Sequence, residues 1–300
     1  MRNCGFIGLG QMGAPMAAHI LKEQPLTVVA IEAAQQENFK RLGASVATET
    51  AGVAACDLVF LCLPNGKVVE DVIFGANGLA SLLRPGAIIV DTSTIEYQRT
   101  LGIAERLQAR GIAFCDAPVS GMQARAEAGT LTVMCGGPGE LFEELQPYFA
   151  CFANKILHMG EVGAGQLAKL INQLLFDINA AALAETLPLA VKLGLDPDKT
   201  GEIINSGTGR SYASEFFVPN ILKGDFSKGY PMAAAYKDLI SGAEISARQG
   251  IPTPVLAAAT AVYQSALLAG DGAKDKGGMI CHIEERLGVT FRSKQEGGAA

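Results

Sequence analysis

The sequence predicts an α/β protein: a doubly wound, dinucleotide-binding domain over residues 1–162, then an all-α domain over residues 163–300 that opens on a long helix. Three observations predict it. Strand-like runs alternate with short helical stretches as far as His158, the pattern of a parallel sheet covered by helices. The glycine pattern GLGQMG, Gly8–Gly13, stands between an apolar run and a helix. Beyond Gly163 the periodicity is helical, with almost no strand candidates.

Composition narrows the class. Of 300 residues, 49% are hydrophobic and only 18% charged, a composition that folds around ample core and excludes disorder. The net charge is −6 and there is no basic run, which argues against a nucleic-acid partner. The seven cysteines form no CxxC pair and lie mostly in apolar runs, so they read as core residues of a reducing compartment. The three histidines, His19, His158 and His282, are too scattered to suggest a metal site; each reads as surface or structural. The chain starts directly on a strand, and its uncharged stretch Gly250–Gly270 carries prolines and polar residues, which fits a buried helix better than a membrane span. The expectation is a soluble cytoplasmic protein with neither a nucleic-acid nor a membrane partner.

From the N-terminus, Asn3–Ile7 is a strand and Ala14–Lys22 a helix. Between them Gly8 makes the tight turn, Gly10 lets the backbone approach a pyrophosphate, and Gly13 lets helix and strand pack closely. The helix N-terminus then offers N–H groups and a positive dipole end to phosphates. After strand Leu26–Ile31, Glu32 is the acid available to bond the ribose hydroxyls; it equally suits a solvated helix start. No basic residue follows before Lys40, which favours NAD over NADP. Helices at Gln35–Leu42, Thr50–Ala55, Lys67–Phe74 and Glu96–Ala109 alternate with strands near Ser45, at Leu58–Leu61, Ala87–Asp91 and Ile112–Cys115. Three strand ends carry turn-forming residues: Gly8–Gly13, Leu63–Pro64 and Thr92–Thr94. Ligands of such sheets bind there, although ordinary turn chemistry explains each end singly. Past Asp116, the residues Ser120, Gly121 and Met122 offer successive backbone N–H groups in a turn, a nest for an anion. Strands at Gly129–Gly137 and Lys155–His158 flank helix Leu141–Phe149.

The long helix spans Gly163–Leu193, and Pro188 is expected to kink it. Lys169, Asn172 and Gln173 share one face at i, i+3, i+4 spacing, amid residues apolar on nearly every side. A lysine desolvated there has its pKa lowered toward the range useful for proton transfer; it otherwise reaches solvent or pairs with Asp177 or Glu161. Further helices are predicted at Asp198–Ser206, Tyr212–Leu222, Ala233–Arg248, Val255–Leu268 and Lys276–Leu287, with a frayed tail at Ser293–Ala300.

Taken together, GFIGLGQMGAPMA (Gly5–Ala17), LPNG (Leu63–Gly66), DTST (Asp91–Thr94), DAPVSG with GTL (Asp116–Leu131), GxGQxxKLxN (Gly163–Asn172) and KDL (Lys237–Leu239) resemble the β-hydroxyacid dehydrogenase family, which includes 3-hydroxyisobutyrate dehydrogenase and tartronate semialdehyde reductase. The motifs run in the family's order over about the first 250 residues. The resemblance implies an N-terminal Rossmann domain and an all-α C-terminal domain built on a long interdomain helix, assembled as homodimers or homotetramers. It implies a catalytic lysine at Lys169. Ser120, Gly121 and Asn172 fall on substrate-binding positions, with Gln173 and Met122 beside them, and Gln11, Met12, Leu63, Thr94 and Lys237 fall on cofactor-binding positions. Gly8, Leu9, Gly10, Gly13, Glu32 and Pro64 complete the expected cofactor site. Two departures stand out: Met122 replaces the family's second glycine after Ser-Gly, and Ala30 occupies the ribose-binding position, with Glu32 two residues on.

The expected reaction is hydride transfer between a nicotinamide cofactor and a small 3-hydroxy acid. Lys169 serves as general acid and base, Asn172 orients it or the substrate, and the Ser120–Met122 turn holds the substrate carboxylate. Two alternatives remain open: an imine or aldehyde reductase on the same fold, and a dinucleotide-binding sensor without turnover. Gln123 and Arg125 either read a second polar group or face water, and Arg210 and Tyr212 either cap the pocket or form loop surface.

Overall fold

The computed structural model describes residues 2–294; of the tail predicted to fray, residues 295–300 lie outside the described residues. The chain divides into two units, 1–169 and 170–300.

In the first unit the elements run β1 (Cys4–Ile7), α1 (Gly13–Glu23), β2 (Leu26–Val29), α2 (Ala33–Arg41), β3 (Ser45–Ala47), β4 (Leu58–Leu61), α3 (Gly66–Phe74), α4 (Leu79–Leu82), β5 (Ile88–Asp91), α5 (Tyr97–Gln108), β6 (Ala113–Asp116), β7 (Val119–Ser120), α6 (Met122–Glu127), β8 (Leu131–Gly136), α7 (Gly139–Phe149) and β9 (Ala153–Gly160). Helix α8 (Ala164–Lys192) begins here and continues into the second unit. The expected helix at Thr50–Ala55 is a 3₁₀ turn at Thr50–Val53.

The sheet order is β3-β2-β1-β4-β5-β6-β8-β7, with β9 beside β8. The first six strands are parallel, and β1, β4 and β5 are buried along their whole length, as strands covered on both faces must be. Side-chain alternation then divides these strands between two cores. Cys4, Phe6, Leu58, Phe60, Ile88 and Val90 pack with Met16 and Ile20 of α1 and Phe142 and Phe149 of α7. Ile7, Val59, Leu61 and Ile89 pack on the other face with Val69 and Ile73 of α3 and Ile103 and Leu107 of α5. The parallel sheet predicted from alternation stops at β6: β8 runs antiparallel to both β6 and β7. The chain reaches β8 through the short α6 rather than a full crossover helix, so nothing requires a parallel return.

In the second unit α8 is followed by α9 (Pro197–Ser206), α10 (Tyr212–Lys223), α11 (Met232–Gln249), α12 (Pro254–Leu268) and α13 (Ile280–Leu287). Helix α8 runs through Pro188 as one element. By length and composition it could cross a membrane, but mid-helix Asp177 is fully buried against Lys276 and accepts from Tyr263 Oη at 3.0 Å. Such an ion pair marks a helix built into a protein core. Of the predicted frayed tail, Ser293 is anchored instead: its N donates to Leu222 O at 2.9 Å and its Oγ to Asp198 Oδ1 at 2.6 Å, directly after the buried Phe291 and after Arg292, which forks onto Glu284.

Removing one partner of the Asp177–Lys276 pair strands a buried charge, which costs on the order of 3–5 kcal/mol. Thermal or urea denaturation is therefore expected to show Lys276→Met strongly destabilised, and the double variant Asp177→Asn/Lys276→Met substantially less so. Equal losses in single and double variants would show the pair carries no such coupling.

Candidate active site

The site is built on the carboxyl ends of the parallel strands. The strand order reverses between β1 and β4, the switch point at which open sheets of this kind take their ligands, flanked here by the turn after β1 and the loop after β4. The three glycines of the first turn obey different constraints. Gly8 adopts φ +101°, and a Cβ there would lie 2.1 Å from Cys62 O. A Cβ on Gly13 would lie 1.8 Å from Gly8 O, which is the close approach of helix to strand. A Cβ on Gly10 would meet no protein atom within 4 Å, so packing does not demand glycine there. Leu9 and Met12 pack on the first core, Gln11 is exposed, and no side chain caps α1 at Met12, nor does an acid stand in its first turn. This cradle fits the pyrophosphate of a dinucleotide: backbone N–H groups at a helix start, with room over Gly10.

Glu32 is exposed at the start of α2, its side chain making no cap bond, while Gln36 Nε2 donates to Ala30 O at 3.1 Å. Ile31 is 87% exposed beside it. In the loop after β4, Leu63 N donates to Ser93 Oγ at 2.8 Å, Pro64 is exposed, and Asn65 caps α3 by accepting from Val68 N. After β5, Asp91 Oδ1 accepts from Ser93 N at 2.9 Å and Thr92 Oγ1 donates to Leu61 O at 2.6 Å, which fixes the half-buried Thr94 between anchored neighbours.

The start of α8 docks on these same loops. Asp116, fully buried at the end of β6, accepts from Gly163 N at 2.6 Å and Gln166 N at 2.7 Å, and so caps the helix. Gln166, 2% exposed, donates from Nε2 to Ser93 O at 2.7 Å and accepts at Oε1 from Ile95 N at 3.2 Å. Neither role was read from the sequence; the signal available was a lone amide in the otherwise apolar first turn of the helix. Lys169 follows one turn after Gln166 and is half-buried. The expectation that an all-round apolar pattern buries this stretch is corrected. Ile171 and Leu175 are 58% and 59% exposed and Asn172 is exposed, because apolar residues are covered only where another element packs. Asp177, one candidate partner for Lys169, is taken by Lys276.

Ser120 ends β7 and is half-buried; Gly121 (φ +142°) and Met122 (φ +60°) open α6. Met122 is the one non-glycine residue with positive φ among the described residues, a backbone conformation that a side chain strains. Arg125 donates to Thr130 O and to Asn154 Oδ1 of β9, and Gln123 to Glu127 Oε1 within α6. In the second unit Gln173 Nε2 donates to Asp238 Oδ2 at 3.4 Å, and Lys237 is exposed on α11. Arg210 pairs with Glu215, and Tyr212 stacks on Phe216.

Burial pushes the Asp91 carboxyl up to about 7 and Asp116 up to about 6, against the hydrogen bonds that favour their charged forms. A carboxyl whose folded pKa lies above its unfolded value contributes stability that is complete below the unfolded value and is lost as pH rises through the folded one. The melting temperature is therefore expected to fall between about pH 4 and pH 8, and to fall less steeply in Asp91→Asn; parallel profiles would refute the burial effect. At position 122, where φ is positive, Met122→Gly is expected to be more stable than Met122→Ala by about 1 kcal/mol in denaturant titration. An alanine variant as stable as the glycine variant would show the backbone is unstrained.

Comparison with known proteins places this geometry. A family model described as the NAD binding domain of 6-phosphogluconate dehydrogenase matches residues 3–160, and one described as NAD-binding of NADP-dependent 3-hydroxyisobutyrate dehydrogenase matches residues 163–283. The chain is 40% identical to a 2-(hydroxymethyl)glutarate dehydrogenase of Eubacterium barkeri, over 97% of this chain and 98% of that protein. It is 34% identical to an L-threonate dehydrogenase of Cupriavidus necator, over 93% and 95% of the two chains. The solved Mycobacterium tuberculosis 3-hydroxyisobutyrate dehydrogenase with L-serine superposes with a TM-score of 0.84 at 29% identity, over 94% and 99% of the two chains. An imine reductase of Myxococcus stipitatus, at 18% identity and a TM-score of 0.63, shares the fold alone. With a dinucleotide cradle at the switch point, and relatives matched from end to end, the chain belongs to the β-hydroxyacid dehydrogenase family of NAD(P)-dependent oxidoreductases.

Proposed function

We propose that the protein oxidises a small 3-hydroxy acid reversibly, with Lys169 as general base in that direction and general acid in the other. The observation that carries this is the cap on α8. Asp116 fixes the helix start at the sheet edge where ligands bind, and Lys169 lies five residues into the helix, roughly 8 Å along its axis. A bound nicotinamide dinucleotide supplies the hydride acceptor or donor. Gly8–Gly13, with Leu9, Gln11 and Met12 among them, would hold its phosphates through backbone N–H groups, and Leu63, Pro64 and Thr94 would contact it from the loops after β4 and β5. The cofactor role that the resemblance gives Lys237 belongs to the same proposal.

On the protein's side, the N–H groups of the Ser120–Gly121–Met122 turn bind the substrate carboxylate and so point the hydroxyl at Lys169 Nζ. Neutral Lys169 takes the hydroxyl proton as the carbonyl forms; its ammonium returns the proton in reduction. Asn172, one turn on, and Gln173 steady the substrate end of the helix face. NAD is the favoured cofactor: the exposed Glu32 suits ribose hydroxyls, and no basic residue precedes Lys40 in that segment to hold a 2′-phosphate. The exposed Ile171 and Leu175 suit assembly as a homodimer or homotetramer.

The test is a screen for cofactor reduction with NAD and with NADP, using 3-hydroxyisobutyrate, L-threonate and 2-(hydroxymethyl)glutarate. Turnover of at least one acid is expected, faster with NAD; no turnover of any hydroxy acid would overturn the reading. Lys169→Ala is expected to lose about 10²–10⁴-fold in turnover while binding the cofactor normally. Near-normal turnover in that variant would remove Lys169 from the chemistry.

A further inference from the structure

We propose that Gln166 is a positioning residue, one that sets the distance between the Lys169 amine and the loop presenting Thr94, and through it the register of proton and hydride transfer. The proposal rests on the function proposed above. Gln166 touches neither substrate nor cofactor; it acts through what it holds.

Its two amide bonds bracket one residue. Nε2 donates to Ser93 O, the carbonyl before Thr94, and Oε1 accepts from Ile95 N, the amide after it. This two-bond grip copies the way a neighbouring strand holds a residue by its flanking backbone groups, so Thr94 cannot slide along or rotate about the loop. The grip is dry, with Gln166 2% exposed, Ser93 3% and Ile95 8%. At the helix end the same residue is held by its backbone, since Gln166 N donates to Asp116 Oδ2 at 2.7 Å. At the loop end the bonds continue: Ser93 Oγ accepts from Leu63 N, and Ser93 N donates to Asp91 Oδ1. Through its side chain and its backbone N–H, Gln166 therefore ties the loop after β5, and through Ser93 the loop after β4, to the end of β6 and to the helical turn directly before Lys169.

The chemistry needs such a link. Two groups must meet the same substrate carbon and its hydroxyl within a few tenths of an ångström; Lys169 rides on a helix, while the nicotinamide of the proposed function would rest against the Thr94 loop. A misplacement of about 1 Å costs on the order of 10²-fold in rate. Without the amide, Ser93 O and Ile95 N lose their partners in a dry site, and the loop shifts to recover them.

A residue that only held the fold would lower stability and leave the chemical step unchanged, so kinetics separates the two roles. In the full-length protein, Gln166→Met keeps the side-chain length and loses both bonds. Its kcat is expected to fall about 10- to 100-fold, with KM for the hydroxy acid and NADH affinity by fluorescence titration within about threefold of wild type. The isotope effect on kcat with substrate deuterated at the reacting carbon is expected to rise, because the chemical step has become slower. Gln166→Glu is the conservative test. Its carboxyl, when protonated, can donate to Ser93 O and accept from Ile95 N as the amide does; when ionised it faces a carbonyl, near the Asp116 carboxylate. Its activity relative to wild type is therefore expected to recover as pH is lowered from 8 to 6, since burial keeps the introduced proton bound to higher pH.

A kcat within twofold of wild type in Gln166→Met, or a flat pH ratio for Gln166→Glu, would overturn the proposal. If the methionine variant does not fold, the pH ratio decides alone. Lys169→Ala keeps the two claims apart. Normal turnover there defeats the acid–base reading, whereas normal turnover in Gln166→Met beside an inactive Lys169→Ala defeats only the positioning role.

Discussion

The carboxylate of Asp116 on the first N–H groups of α8 is the contact on which the arrangement depends. It is a charge placed in a dry interior, costly unless met by several donors, and the open end of a long helix supplies both the donors and the matching dipole. The local chain accommodates the bond at some expense. A Cβ on Gly165 would lie 2.3 Å from Met134 O, and one on Gly136 would lie 2.6 Å from Asp116 Oδ1. Gly165 in the first turn of α8 and Gly136 at the end of β8 are thus the clearance that lets the helix end settle against the ends of the strands. Everything α8 carries in its first two turns inherits its place from that seat.

The two units solve the burial problem differently. The sheet uses strict side-chain alternation, so neighbouring residues of one strand feed two separate cores. The helical unit has no sheet to share and closes around small residues, Ala180, Ala181 and Ala184 of α8 among them, with Phe217, Tyr263 and Met279 filling the space. Into that interior it places Asp177 with Lys276, whose ammonium also lies 4.5 Å from the Phe176 ring centre. The pair adds little net stability on general grounds, but it ties α8 to the turn at Lys276–Met279.

Much of this was legible in the residues. Parallel strands read clearly because burial on both faces leaves unbroken apolar runs such as Leu58–Leu61. The tight turn at Gly8 and the close packing at Gly13 read correctly because their context, strand then helix, is local. What escaped was short or distant. The two-residue β7 and the four-residue α4 are below any periodicity, and the direction of β8 leaves no mark on its side chains. The grip of Gln166 on residues about 70 positions away, and of Lys276 on Asp177 at 99, can be seen only once the chain is folded. Hydrophobicity also misjudged the covering of α8, since Ile171 and Leu175 show that an apolar residue states a preference and not an outcome.

The glycine turn has a consequence for how such chains age. Gly8 and Gly13 are held by the protein's own atoms, so any descendant that keeps the fold must keep them. Gly10 answers to no atom of the chain, so only a guest molecule can enforce it. A lineage that gave up its dinucleotide would be free to drift at the middle position while the outer two stayed fixed. The three glycines together therefore work as a vital sign: two show that the architecture survives, and the third shows that it is still employed.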